Sequence, residues 1–146
     1  MRTFKIGLVT AFAVMSLASC GGSDGAADKG DGGEAGGAAK FALKSGEKFV
    51  DETSAKELEI VATDNKFVPK YVEVKVGTKV TFTNKGRNIH NVYAVEDDAF
   101  EPVLNDDFDR GESATRTFDA PGDYPYYCTL HATKTAGMIG GIRVVE

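Results

Sequence analysis

Beyond residue 57 the chain is written in a period of two, and no long apolar stripe of helical spacing interrupts it. Leu58, Ile60 and Ala62 alternate with Glu57, Glu59 and Val61; Val72, Val74 and Val76 alternate with Tyr71, Glu73 and Lys75. Val80 and Phe82 alternate with Lys79, Thr81 and Thr83. Such alternation lays one face of a strand on a core and leaves the other to solvent. Turn signals separate the runs at Asp64-Asn65, Pro69, Gly77-Thr78 and Asn84-Lys85-Gly86. Further strands are expected over 91–95, 114–118, 123–128 and 141–145, while Asp51 to Lys56 has room for a turn or two of helix. Short strands at regular intervals in a chain of 146 residues predict one all-β domain, a sandwich or barrel of about seven or eight strands.

The N-terminal quarter does not share this pattern. Met1 to Ser19 carries Arg2 and Lys5, then an apolar stretch from Ile6 to Ala18 that is short for a membrane span and fits an export signal. Leu17-Ala18-Ser19-Cys20 resembles a bacterial lipoprotein lipobox, which implies cleavage before Cys20 and acylation of that residue. An ordinary secretory signal with a stray cysteine is the plainer alternative. Residues 20–39, rich in Gly and Ala, have no periodicity to bury and read as a flexible tether with a reach on the order of 25 Å. The expected organisation is a signal over 1–19, a tether over 20–39 and a folded domain over 40–146. The expected location is extracytoplasmic, lipid-anchored to a bacterial membrane at the cell envelope or periplasm.

Loss of two basic residues with the signal would take the formal charge from −5 to −7. That balance argues against nonspecific binding to nucleic acid or anionic lipid. Of the two cysteines, Cys20 and Cys128, one is placed for a lipid and the other for a metal, so a disulfide between them is not expected. The two histidines are His90 and His131, and Met138 is the only methionine beyond the signal. A thiolate, two imidazoles and a weak thioether form the ligand set of a blue-copper site. Strand parity puts Tyr124, Tyr126 and Cys128 on one face and Tyr127 on the other. Cys128 is therefore expected at the end of a buried aromatic row.

Pro121-Gly122-Asp123-Tyr124-Pro125-Tyr126-Tyr127-Cys128, then His131, then Gly137-Met138-Ile139-Gly140-Gly141-Ile142 resembles the C-terminal half of a plastocyanin-type cupredoxin. Asn65-Lys66-Phe67-Val68-Pro69, Val76-Gly77-Thr78-Lys79-Val80 and His90-Asn91-Val92 resemble its opening half, and the similarity runs over roughly residues 57 to 146. The resemblance implies a Greek-key β-sandwich of the cupredoxin type, holding one type 1 copper ion. His90, Cys128 and His131 are then the trigonal ligands and Met138 the distant axial one. Six residues separate His131 from Met138, a longer gap than in the resembled pattern, so 132–137 is expected to bulge. A backbone oxygen or water is the alternative axial group.

The resemblance also implies that Asn91, directly after a ligand, braces the loops and presents a backbone donor to the sulfur; Thr129, next to Cys128, is expected to hydrogen-bond in the same region. Tyr127 resembles the residue that offers that family a second route for electrons; it is equally readable as an outward tyrosine of any strand. The acidic residues Glu96, Asp97, Asp98, Glu101, Asp106, Asp107 and Asp109 read either as a solvated loop or as a surface that steers a basic partner.

Four protein ligands leave no open position for a substrate, which argues against an enzyme. The expected activity is single-electron transfer between extracytoplasmic redox partners by a monomer. A copper chaperone or buffer with the same ligands is the rival reading, and structural zinc a third.

Overall fold

The computed structural model describes Phe41, Leu43 and residues 45–146. The expected signal, the tether and Cys20 lie outside the described residues. Among the described residues nine strands form: β1 (Val50–Asp51), β2 (Glu57–Thr63), β3 (Lys66–Val68), β4 (Tyr71–Lys75), β5 (Lys79–Asn84), β6 (Tyr93–Ala94), β7 (Ser113–Thr117), β8 (Gly122–Thr133) and β9 (Ala136–Val145). The fold is all-β as expected. β1 and β3, two and three residues long, carry the count past seven or eight.

The strands assemble into two mixed sheets. One has the order β1-β4-β9-β8-β6 and the other β3-β2-β5-β7. Parallel pairings of β4 with β9 and of β2 with β5 make each sheet mixed, because these partners are far apart in sequence and are joined by crossovers. The alternation does the rest. Ile60 and Ala62 of β2, Val80 and Phe82 of β5, Val72 and Val74 of β4, and Ile142 and Val144 of β9 are all buried in one continuous core. Removal of this apolar surface from water is the main stabilising contribution, at about 25 cal/mol per Å².

Three expectations need correction. Val76 is 40 % exposed, because β4 ends at Lys75 and the chain turns at Gly77 before the alternation can continue. The segment 51–56 makes a single turn closed by Ala55 N–H on Glu52 O (2.9 Å) and no helix. The expected strand over 91–95 shrinks to β6, since Val92 instead bridges Val103.

The outer face of the first sheet is covered near its middle by the segment that precedes β1. Phe41, Phe49 and Tyr71 form an aromatic trio with ring centroids 5.3–5.8 Å apart. Gly141 of β9 leaves the space in which Phe41 lies: a Cβ there would stand 2.0 Å from its ring.

Candidate metal centre

β8 and β9 are long neighbours whose register breaks once. Tyr127 pairs with Ile139 and Ala132 with Gly137, so the four residues from Cys128 to His131 lie opposite Met138 alone. The surplus residues are accommodated as a bulge in β8, and bulges re-aim side chains. This one turns Cys128 and His131 toward the same point. The expectation that 132–137 bulges is therefore misplaced by a few residues: Ala132 and Thr133 continue the ladder, and a tight hairpin returns the chain at Lys134 and Thr135. Gly137 permits the return, with φ of +96° and with a notional Cβ only 2.6 Å from His131 O.

The remaining imidazole comes from beyond β5, whose continuation through Lys85 to Ile89 delivers His90 across from the bulge. His90 and Cys128 are fully buried, Met138 is 1 % exposed, and His131 is half-buried. Cys128 Sγ lies 3.8 Å from His90 Nδ1 and 3.4 Å from His131 Nδ1. The three donor atoms all fall within 4.8 Å of one another, and the two imidazole rings cross at 63° with centroids 4.9 Å apart. Three donors converging on one point, two nitrogen and one sulfur, can hold a single metal ion of borderline to soft character. Met138 comes from the strand facing the bulge, buried in the same core cluster as Cys128. The donor set therefore fits copper.

Burial holds His90 below the ordinary imidazole range; repulsion from His131 adds to this, while Asp64 and the Thr63 carbonyl oppose it. A neutral imidazole keeps the lone pair of one ring nitrogen free for a metal.

The loops that carry the ligands are fastened to one another. Asn91 Nδ2 donates to Thr129 Oγ1 (2.7 Å), and Thr129 N–H donates back to Asn91 Oδ1 (2.8 Å). Asn91 thus braces the loops as expected. The expected donation from its backbone to the sulfur is not among the contacts of Sγ, which are with the two imidazoles. Outside the bulge, Tyr126 is fully buried and Tyr124 half-buried, as parity requires. Tyr127 points to the other face, yet it is half-buried there because β6 lies beside it and sets Tyr93 opposite.

Two features escape a linear reading. Asn84, which reads as a turn residue, is fully buried and hydrogen-bonded into the loop that carries His90. Lys134, at the hairpin tip, donates to Val95 O (2.7 Å) and stands 3.5 Å from Asp97, tying the ligand hairpin to the acidic segment. Neither has a sequence signal beyond its own residue type, because each partner is a backbone group or lies more than thirty residues away.

Residues 54–145 match the plastocyanin/azurin family of copper binding proteins. The chain belongs to that family. It is 36 % identical over 85 residues to the chloroplastic plastocyanin of Tetradesmus obliquus, a match that covers 53 % of this chain and 57 % of that one. It is 34 % identical over 87 residues to amicyanin-alpha of Methylorubrum extorquens, over 56 % of this chain and 70 % of the relative. The chain spans about half the length of the chloroplastic plastocyanins it matches, 57 % of that from Tetradesmus obliquus and 49 % of that from Physcomitrium patens. Among solved structures, amicyanin from Paracoccus versutus matches with a TM-score of 0.51 at 24 % identity, over 62 % of this chain and 83 % of that one. That likeness shows the cupredoxin fold. A copper-containing nitrite reductase from Thermus scotoductus matches with a TM-score of 0.50 at 30 % identity, but over only 22 % of its own chain.

Proposed function

We propose that this family member is a type 1 copper protein that carries single electrons between extracytoplasmic redox partners. One ion is held by His90, Cys128 and His131, with Met138 as the axial ligand. The observation that carries the reading is the convergence of one cysteine sulfur and two imidazole nitrogens within 4.8 Å at the end of a closed β-sandwich. Copper supplies the Cu(I)/Cu(II) couple when bound. The chain supplies the rest. The β8 bulge and the Asn91–Thr129 bracing fix the donors before the metal arrives, so a change of charge meets little rearrangement.

His131 is the half-exposed member of the set, and its ring edge is the route for electrons. Ile89 and Leu130, each next to a ligand, are 51 % and 53 % exposed and give that edge an apolar surround suited to brief docking. Tyr127, packed beside Tyr93, offers a second route. The acidic residues from Glu96 to Asp109 suit a basic partner. A lipid on Cys20 would hold the monomer at a bacterial membrane through the 20–39 tether.

Mediated redox titration of the copper-loaded protein tests the proposal against a chaperone role. A shuttle exchanges electrons reversibly and keeps its copper when a Cu(I) acceptor is present. Release of Cu(I) to the acceptor without reversible exchange would reject it.

A further inference from the structure

Asn84 ends β5 without solvent exposure, and its side-chain amide is fully engaged. Nδ2 donates to Asn88 O (2.9 Å) and to Phe108 O (2.9 Å), and Oδ1 accepts from Gly86 N–H (2.9 Å). Its main chain adds two more bonds: the N–H donates to Glu112 O (2.9 Å), and the carbonyl accepts from Gly111 N–H (2.7 Å). One residue therefore joins three parts of the chain: the end of β5, the loop that runs to His90, and the 108–112 segment.

We propose that Asn84 is the positioning residue for His90, holding the imidazole at the thiolate whether or not a metal is bound. The inference rests on the ligand assignment above and names what sets the least anchored of the three donors. Cys128 and His131 share one strand, and the bulge that carries them is clamped at both ends by the β8–β9 pairs Tyr127–Ile139 and Ala132–Gly137. His90 lies on no strand, and its place depends on the path of residues 85–89. That path is tight where it passes the ring. A Cβ on Gly86 would lie 3.1 Å from His90 Nε2 and 3.0 Å from the Thr63 carbonyl carbon, so the loop passes too close to the imidazole to admit a side chain between them. A shift of the loop must shift the ring.

A second tie reaches the same loop from outside. Arg87 N–H donates to Asp64 Oδ1 (2.8 Å), the Arg87 guanidinium meets Asp64 Oδ2 (2.9 Å), and Asn88 Nδ2 donates to Asp64 O (3.2 Å). Those groups are exposed, and exposed ion pairs hold geometry weakly. Loss of the buried amide is different, because it leaves the Asn88 and Phe108 carbonyls without the donor they share and Gly86 N–H with only its longer bond to Ala62 O (3.1 Å). Relief of that cost requires the loop to open toward water, carrying His90 away from Cys128.

The test compares Asn84→Ala and the milder Asn84→Ser with Val74→Ala in the full chain. Val74 is a fully buried residue of β4 that pairs in register with Val144 and serves as a control for lost stability alone. Each protein is measured for copper affinity, thiolate-to-copper absorption, reduction potential and, without metal, the NMR line widths of the His90 ring. Expected for Asn84→Ala is a loss of copper affinity of roughly 10–100-fold, the usual range for partners that orient a ligand. The absorption and potential change, and the His90 signals broaden in the metal-free protein. Asn84→Ser falls between, and Val74→Ala melts earlier with a normal site.

Native absorption, potential and affinity in folded Asn84 variants would overturn the proposal. So would failure of both variants to fold beside a folded Val74→Ala, which would make Asn84 a folding residue only. Absence of the thiolate-to-copper band from the unmodified protein would instead reject the ligand assignment.

Discussion

Tyr126→Phe should make this protein more stable, although it removes the hydroxyl of a fully buried core residue. The ring is wedged edge-to-face between Phe67 (centroids 4.9 Å apart) and Phe82 (5.3 Å), and its Oη has no hydrogen-bond partner among the described residues. A buried hydroxyl without a partner costs about 1–3 kcal/mol relative to water, and deletion also forfeits the oxygen's dispersion contacts. The balance is a gain of about 1 kcal/mol, or about 4–8 °C in melting temperature for a domain of this size.

The sign of the pH dependence follows from the same burial. Desolvation first, and the negative charge of an ionised Tyr71 second, push the Tyr126 phenol far above its ordinary value of 10.0. The folded state keeps it neutral while the unfolded chain ionises above that pH. Its contribution is therefore full below pH 10 and declines as the pH rises above it, by about 1.4 kcal/mol per unit. The phenylalanine side chain of the variant has no proton to lose, so its advantage over the parent should widen between pH 7 and pH 11. Urea unfolding of the metal-free protein at both values measures it. A variant less stable than the parent at pH 7, or a gap that fails to widen, would refute the account of Tyr126 as an unpaired buried phenol.

Gly140→Ala should destabilise by about 1–3 kcal/mol, since its Cβ would stand 2.5 Å from the Tyr126 ring, which Phe67 and Phe82 hold in place. Denaturant midpoints check this, and an unchanged midpoint would show that the ring can yield. Thr129→Val leaves the buried Asn91 amide one acceptor short and should cost about 1–3 kcal/mol, with a shifted thiolate-to-copper band. Lys134→Met removes the tie to Val95 O; as that group is half exposed, stability should change by less than about 1 kcal/mol, and copper release to a chelator reports any loosening of the hairpin.

The parts of this protein that were legible in its sequence are those in which chemistry repeats locally. Parity alone places Tyr126 and Cys128 in the core, and the alternation of Leu58 to Phe82 yields the strands of both sheets. The two segments that carry Cys128, His131 and Met138, and the one that carries His90, stand out because few residue types bind soft metals. What the pattern misses depends on register and on distant partners. The β8–β9 hairpin lacks an Asn-Gly type of turn signal at Lys134-Thr135, so nothing local announces that the strands continue past the ligands. The half-burial of Tyr127 depends on a two-residue strand more than thirty residues earlier. Asn84 looks like turn punctuation because its partners, Phe108 O among them, are backbone groups that carry no sequence signature.

The central claim is that His90, Cys128 and His131 bind one copper ion together, and X-ray absorption at the copper edge of the loaded protein tests it most directly. The account predicts one copper per chain with a single short sulfur ligand and two nitrogen ligands, the sulfur signal vanishing in Cys128→Ser. Copper bound through nitrogen and oxygen alone, or bound unchanged in Cys128→Ser, would contradict it.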